Sequence, residues 1–326
     1  MKTFLRSTVV LGATVLLTTA CASPAADVHS SAPSDQSAAT TVDNCGFQVD
    51  LDEAPQRIVT VKSTPLELLL ALGLGDRVIG SAFLDGDVPE QWADDAAEVP
   101  EISDSIPGQE AVLALEPDFV FAGWESALTA DGAGDRATLA EFGVGTYVSP
   151  SACKEPGYQP EKLTFDDLFA EIEEAGRVFG AEDAAAELVE TQRSELDEIE
   201  PSDSSQTALW YSSGTDTPYV GAGIGAPQMI LEAAGLENIA ADVDDTWSSL
   251  SWEAVIDANP DVIVLIDADW NTAEQKITML EQNPATAALD AVKERRYITI
   301  PFAAGEAGVR NVDAVRSIVE QLEAID

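Results

Sequence analysis

Histidine is nearly absent from this chain, and its single copy, His29, lies close to the N-terminus. The rest of the sequence therefore cannot contain a Ser-His-Asp triad or a zinc or manganese site built from several histidines. The same absence argues against binding of haem iron through an axial histidine. We predict that the protein is not an enzyme and that its own residues hold neither a metal ion nor a cofactor.

Positive charge is also scarce. Sixteen lysines and arginines stand against 59 acidic residues, which gives a formal net charge of −43. A surface of this charge repels nucleic acid and anionic lipid, so we expect neither as a binding partner. Solubility or salt tolerance explains the excess most simply. The few cations become informative, because each one that lies at a predicted strand end could attract an anionic ligand.

Long apolar runs are missing except near the N-terminus, where Val9 to Leu17 follows Lys2 and Arg6. This run is too short to span a bilayer stably. It leads through small residues to Cys21, and residues 1–20 resemble a lipoprotein signal peptide. The resemblance implies a lipid anchor on Cys21 and a protein held on the extracytoplasmic face of the cell membrane. The alternative is an ordinary secretory signal with an incidental cysteine.

Residues 21–43 contain almost no bulky apolar side chains, so we predict a flexible tether there. The body from Asn44 onward is large enough for two hydrophobic cores. Its two cysteines are Cys45 and Cys153, an even number that in an oxidising compartment is most simply one disulfide. Two free buried thiols are the alternative.

An internal duplication predicts the architecture. The segment from Thr64 to Leu74 recurs from Ala226 to Leu236, and each copy has Pro near the start of a predicted helix and Gly at its end. A second pair follows in the same order, Glu110 to Phe121 and Glu253 to Val264, in which a short helix and a Pro-Asp turn precede a buried strand. Two ordered matches predict a protein with two homologous lobes.

Further strands fit this plan. They are predicted at 57–61, 78–82 and 146–149 in the first lobe and at 207–211, 262–266 and 297–300 in the second. We predict an α/β fold of two Rossmann-like lobes with mostly parallel sheets, joined by a single long helix. The lobes cover residues 44–163 and 201–326. A helical connector spans 164–200, beginning with a capping box at Thr164 and Asp167 and ending in a helix from about Glu182 to Ile199.

Ala54 to Val59, Glu67 to Gly80 and the two Pro-Asp strands resemble the cobalamin and iron-siderophore binding proteins of ABC importers. The resemblance covers the whole body. It implies capture of a small ligand between the lobes and delivery to a permease and its ATPase, and we expect a monomer. In that family one surface glutamate on each lobe pairs with arginines of the permease. The matching positions are Glu110 and Glu253, although an ordinary solvated helix face is the alternative for both.

Within this superfamily, four segments look like a narrower group proposed to bind a precursor of the deazaflavin coenzyme F-420. They are Gln91 to Asp94, Ala122 to Ser126, Ser149 to Tyr158 and Tyr219 to Met229. The resemblance implies an anionic, aromatic ligand. A ferric siderophore or a corrinoid is the alternative ligand for the same importer. A surface receptor or sensor without a transporter is the alternative from another functional class.

Ligands of open α/β sheets bind beyond the carboxyl ends of the strands. The candidate ligand-binding residues therefore follow predicted strands or lie in loops: Lys62, Ser63, Thr64, Phe83, Asp85, Trp124, Lys154, Tyr211, Ser212, Trp247, Trp270, Asn271, Phe302 and Arg310. Aromatic side chains in both lobes suit a flat conjugated ligand, although a Trp after a strand is often core. Among the cations, Arg310 is the leading candidate to bind a phosphate or carboxylate.

Overall fold

A computed structural model describes residues 40–203 and 205–325 of the chain. The predicted signal peptide and the lipid anchor on Cys21 lie outside the described residues. The body begins with an antiparallel hairpin of β1, Thr40–Asn44, and β2, Phe47–Leu51. The tether predicted for 21–43 thus overlaps the hairpin by four residues. Val42 explains the overlap, because it is a buried apolar residue within a strand that is otherwise polar.

The first lobe is a five-stranded parallel sheet in the order β5-β4-β3-β6-β7. Its strands are β3, Ile58–Val61; β4, Val78–Ala82; β5, Glu101–Ser103; β6, Phe119–Ala122; and β7, Gly145–Val148. Its helices are α1, Ser63–Ala71; α2, Ala93–Ala97; α3, Gln109–Leu113; and α4, Arg136–Glu141. The central strands β3 and β6 are buried along their whole length, as expected for continuous apolar runs in a covered parallel sheet.

The connector consists of α5, Phe165–Phe179, and α6, Glu182–Asp197. The predicted capping box is present, because the Thr164 side chain accepts from the Asp167 backbone and the Asp167 carboxylate accepts from the Thr164 backbone. Gly180 ends α5 with φ of 66°, a left-handed conformation that glycine adopts without a Cβ penalty. Helix α6 then continues to the second lobe, as the prediction of one long connecting helix requires.

The second lobe contains a six-stranded sheet in the order β11-β9-β8-β12-β13, with β10 also paired to β8. Its strands are β8, Thr207–Ser213; β9, Tyr219–Gly221; β10, Glu237–Asn238; β11, Trp247–Ser249; β12, Val262–Asp267; and β13, Tyr297–Pro301. Its helices are α7, Ala226–Ala233; α8, Trp252–Ala258; α9, Ala273–Gln282; α10, Asp290–Lys293; and α11, Asn311–Ile325. Strands β8, β10, β12 and β13 are parallel, whereas β9 and β11 run antiparallel to their neighbours.

The duplication read from the sequence has a physical basis in the two Pro-Asp turns. The Asp118 carboxylate accepts backbone N–H groups of Gln56 and Arg57 at 2.8 and 2.9 Å, at the start of β3. The Asp261 carboxylate accepts the backbone N–H and the hydroxyl of Thr207, both at 2.8 Å, at the start of β8. In each lobe the aspartate therefore fixes the register between its own strand and the neighbouring central strand.

The apolar core is only partly divided between the lobes. Each lobe has its own cluster on one face of its sheet, around Val59 and Val120 in the first and Leu209 and Leu265 in the second. A third cluster runs from the other face of the first sheet through α5 and α6 to α7 and α11. This shared cluster favours small rather than large relative movements of the lobes. No helix within the described ranges is both long and apolar enough to cross a membrane.

Candidate functional site

A cavity of about 390 Å³ lies between the lobes at the carboxyl ends of the central strands. Segments after β3, β6 and β7 form one wall, and segments around β8, β9, β12 and β13 form the other. The lining residues are Thr64, Gly123, Trp124, Glu125, Ser126, Ser149, Ser151, Ala152, Lys154, Ser212, Ser213, Tyr219, Gly225, Ala226, Thr246, Trp247, Trp270, Phe302, Glu306 and Ala307. The position agrees with the rule that open α/β sheets bind ligands at their carboxyl edges.

Aromatic rings from both lobes line this cavity. Trp247 lies nearly parallel to Phe302 and to Tyr219, with interplanar angles of 3° and 12° and centroid separations of 6.4 and 6.1 Å. Trp124 and Trp270 meet Phe302 edge-on at 6.4 and 5.7 Å. Trp270 is 55% exposed, so it forms the rim of the cavity. These rings offer several flat apolar surfaces to a ligand.

Seven of the predicted ligand-binding residues line the cavity: Thr64, Trp124, Lys154, Ser212, Trp247, Trp270 and Phe302. Ser212 was predicted to follow a strand but lies within β8. The other predicted residues are placed elsewhere. The seven that do not line the cavity are Lys62, Ser63, Phe83, Asp85, Tyr211, Asn271 and Arg310.

Lys62 is buried and forms an ion pair with Asp85 instead of facing the cavity. Its ammonium lies 3.9 Å from the ring centre of Trp124 and 4.8 Å from that of Phe302, so aromatic faces from both lobes enclose it. Burial raises the pKa of the Asp85 carboxyl above its ordinary value, and Lys62 opposes part of that rise. Lys62 was predicted to contact the ligand, but its positive charge is already offset by Asp85.

Arg310 is likewise neutralised within the protein. Its guanidinium binds both carboxylate oxygens of Glu67 and donates to the Asp87 carbonyl at 2.9 Å. Glu67 belongs to α1 of the first lobe, and Arg310 precedes α11 of the second, so this pair joins the lobes beside the cavity. Desolvation raises the pKa of Glu67 despite the arginine. The structure therefore does not support Arg310 as the partner of an anionic ligand.

Four other predicted residues have structural partners. The Ser63 hydroxyl accepts the Asp85 backbone N–H at 2.8 Å. Tyr211 is buried in the cluster around Leu209 and Leu265, on one face of its sheet. There it packs against Trp252 and donates to the Gly214 carbonyl at 2.9 Å. Phe83 packs edge-on behind Trp124 at 5.7 Å. Asn271 closes the turn after β12, and its backbone carbonyl accepts from the buried Lys276 ammonium.

Lys154 is the predicted cation that does line the cavity. Its ammonium donates to the Thr246 hydroxyl at 2.7 Å and lies 3.4 Å from an Asp245 oxygen, in the opposite lobe. Its neighbour Cys153 forms the predicted disulfide with Cys45, which attaches this loop to the hairpin of the first lobe. The C-terminal end of the cavity segment from Ser149 to Lys154 is thus both bonded covalently to the hairpin and in contact with the second lobe.

Sequence reasoning missed Glu306 and most of the hydroxyl groups. Glu306 follows β13, lines the cavity and accepts the Trp124 indole N–H at 2.8 Å. Burial raises its pKa, and Lys62 opposes part of this effect. The position after a strand could have marked Glu306, but nothing in a chain with 59 acidic residues distinguishes it from the rest.

The two predicted docking glutamates occupy equivalent places. Glu110 is the second residue of α3 and Glu253 the second residue of α8, and both are exposed. Within the described ranges, no group of three or more His, Cys, Asp or Glu side chains is arranged to hold a metal ion. The site that these residues form is therefore an aromatic cavity lined also by hydroxyl groups, by the carboxylates of Glu125 and Glu306 and by the Lys154 side chain.

Comparison with known proteins agrees with this geometry. The model of the family described as periplasmic binding protein matches residues 58–304. YvrC of Bacillus subtilis, an uncharacterized ABC transporter substrate-binding lipoprotein, is 26% identical over 86% of this chain and 85% of its own length. A cobalamin-binding protein of Halobacterium salinarum is 28% identical over 69% of this chain, but the match spans only 58% of that protein.

Solved structures show the same fold. A periplasmic binding protein from Veillonella parvula is 25% identical with a TM-score of 0.75, over 87% of this chain and 97% of that one. A protein described as an ABC-type Fe3+-hydroxamate transport system, from Saccharomonospora viridis, is 27% identical with a TM-score of 0.72, over 86% and 98%. These relatives are named as binding and transport proteins, not as enzymes. The chain belongs to the periplasmic binding protein family.

Proposed function

We propose that the protein is the solute-binding component of an ABC importer and that it captures a planar conjugated ligand between its lobes. The observation that carries the proposal is the cavity itself, in which Trp124, Tyr219, Trp247, Trp270 and Phe302 supply flat surfaces from both lobes. Seven Ser and Thr residues line the same space and can bind the polar part of such a ligand. The relative named as a substrate-binding lipoprotein supports the transport role and, with the N-terminal signal, an anchor on Cys21.

A deazaflavin precursor is the ligand that we favour. Three segments that resemble the deazaflavin group contribute lining residues, among them Trp124, Lys154 and Tyr219. A tricyclic ring would stack on the aromatic walls, and a polyol side chain would meet the hydroxyl groups. The expected negative charge of the ligand has weaker support, because Lys62 and Arg310 are paired internally and Lys154, the predicted cation in the cavity lining, lies 3.4 Å from Asp245. A neutral precursor therefore suits the cavity better than a strongly anionic one.

A ferric hydroxamate or a corrinoid is the second candidate, and the names of two relatives favour it. The cavity of about 390 Å³ lies at the lower end of the range of roughly 300–1,000 Å³ that holds drug-sized ligands. A corrinoid is considerably larger than such a ligand and would require the lobes to separate. The shared core around α6 disfavours a large separation.

Direct titration tests the proposal. We expect the tryptophan fluorescence of the purified protein to be quenched by 5-deazariboflavin with saturation at micromolar concentration or below, and less effectively by cyanocobalamin or ferrioxamine. Trp270→Ala should weaken binding about 2- to 10-fold, since one aromatic contact contributes about 0.5–1.5 kcal/mol. Phe142→Ala is the matched control, because Phe142 is 63% exposed and does not line the cavity. Failure of all the probes to bind would contradict the proposed function.

We also propose that the protein acts as a monomer and that Glu110 and Glu253 bind the permease. Both glutamates are exposed. Each lies in the first turn of a helix that is followed by a Pro-Asp turn and then by a buried strand. The twofold repetition of the two positions supports a partner with two equivalent basic sites.

A further inference from the structure

Glu306 is held in a fixed position at the base of the cavity. Its Oε2 atom accepts the Trp124 indole N–H at 2.8 Å. The backbone around it is fixed by the fully buried Asn311, whose amide donates to the carbonyls of Ala304 and Glu306 at 3.0 and 2.7 Å. The Asn311 side-chain oxygen accepts the Gly308 N–H at 2.9 Å. The carboxylate is therefore preorganised before any ligand arrives.

The second carboxylate oxygen of Glu306 has no hydrogen-bond donor within the described part of the chain. The nearby Lys62 ammonium is occupied by Asp85 and by aromatic faces. Lys154 donates to Thr246 at the side of the cavity. A ligand that displaces water from the base of the cavity must therefore supply a donor, since a desolvated acceptor without a partner costs about 1–3 kcal/mol or more.

The charges around this position exclude one class of ligand group. Glu306 lies at the position itself, with the Asp85 carboxylate nearby, whereas the Lys62 and Lys154 ammonium groups that offset the charge of Glu306 already contact Asp85 and Thr246. An anionic group at the base would be desolvated next to like charge, which is unfavourable at low dielectric. A neutral N–H or O–H group, in contrast, would form a charge-assisted hydrogen bond.

We propose that Glu306 determines specificity by accepting a hydrogen bond from an N–H or O–H group at the buried edge of a planar ligand. Ligands with an anionic group at that edge are excluded. This inference rests on the proposed function and deepens it, because it names the chemistry that the cavity selects. Imide-bearing rings such as the deazaflavins satisfy it, since their N–H lies between two carbonyls at the ring edge.

A matched pair of probes tests the inference. 5-Deazariboflavin carries the imide N–H, and its N3-methyl derivative lacks it. We expect the wild-type protein to bind the first probe about 10- to 100-fold more tightly, as a hydrogen bond to a charged group contributes about 1.5–3 kcal/mol. Glu306→Gln keeps the size and the acceptor for Trp124 but can direct an amide N–H toward the ligand. In this variant the preference should fall to about 3-fold or less.

The ratio of the affinities for the two probes distinguishes ligand recognition by Glu306 from a purely structural role. A steric effect of the methyl group would persist in Glu306→Gln, because the side chains are nearly equal in size. Glu294→Gln, at an exposed position far from the cavity lining, should keep the wild-type ratio. Thermal unfolding of each variant verifies that it is folded.

The other possible binding results would contradict either the role of Glu306 alone or the proposed function as well. Equal binding of both probes by the wild type, or an unchanged ratio in Glu306→Gln, would overturn the role of Glu306 while leaving the solute-binding function intact. Binding of only cyanocobalamin or ferrioxamine would do the same. If neither these nor the deazaflavin probes bind, both the inference and the proposed function fail.

Discussion

At the scale of single residues, the cations show that the sequence could predict the position of a side chain but not its ion-pair partner. Lys62 directly follows β3 and Arg310 directly precedes α11, as the sequence predicted, but the internal partners of both residues were not predicted. Lys62 pairs with Asp85, 23 residues away, and Arg310 pairs with Glu67, 243 residues away. Strand-end position predicts that a residue lies near the carboxyl edge of a sheet, whereas its direction and partner depend on packing between elements. Of the six aromatic candidates, four line the cavity, whereas Phe83 and Tyr211 pack against other aromatic side chains.

Removing the Lys62 charge should destabilise the protein strongly. Lys62→Met leaves the Asp85 carboxylate buried without its ion-pair partner, which we expect to lower the free energy of unfolding by about 3–5 kcal/mol. Both side chains are unbranched, so the positive φ of residue 62 burdens them similarly. Urea unfolding at neutral pH measures the change.

The double variant Lys62→Met/Asp85→Asn serves as the control. It removes the uncompensated charge and should regain a substantial part of the loss, as a double-mutant cycle would reveal. A single variant within about 1 kcal/mol of the wild type would mean that Asp85 is neutral or solvated, contrary to the buried ion pair.

At the scale of elements, hydrophobic patterning predicted the buried strands well. The runs that became β3, β6, β8 and β12 are continuous and apolar, as strands covered on both faces must be. The hairpin of β1 and β2 was not predicted, because its composition resembles the tether. Strands β9, β10 and β11 contain only two or three residues each, too few for a periodic signal. β9 and β10 pair with the long strand β8, and β11 pairs with β9.

The disulfide between the hairpin and the cavity loop should contribute substantially to stability. It joins residues 108 positions apart, and closure of so long a loop restricts the unfolded chain. We expect Cys45→Ser/Cys153→Ser to lower the free energy of unfolding by about 2–5 kcal/mol. Reduction of the wild-type protein should produce the same shift in urea unfolding, while the variant should be insensitive to reductant. Identical unfolding of the reduced and oxidised wild type would contradict this prediction.

At the scale of the whole molecule, two lobes with one shared apolar cluster form a cavity that is open between them. The duplication predicted this arrangement, because two homologous units in one chain place their sheet edges around a common groove. The geometry of the groove could not be predicted in the same way. It depends on contacts such as Trp124 to Glu306 and Arg310 to Glu67, which join residues from different lobes.

Delivery of the ligand to a permease should depend on both lobes at once. Glu110→Lys/Glu253→Lys reverses two exposed charges at equivalent positions, and we expect it to reduce uptake in cells by at least about 10-fold while leaving ligand affinity unchanged. Charged groups at an interface mainly set recognition and orientation, and like charges placed opposite one another are unfavourable. Each single reversal should give a smaller defect, because one of the two contacts remains.

The matched control is Glu182→Lys/Glu274→Lys, which changes the same charge at two exposed first-turn positions of α6 and α9. Because the net charge of the two double variants is identical, a difference in uptake must arise from position rather than from the overall field. Uptake of labelled ligand by cells that express the permease, its ATPase and each variant measures this difference. Equal uptake by the two double variants would show that Glu110 and Glu253 are ordinary solvated side chains, and docking would then have to involve another surface of the lobes.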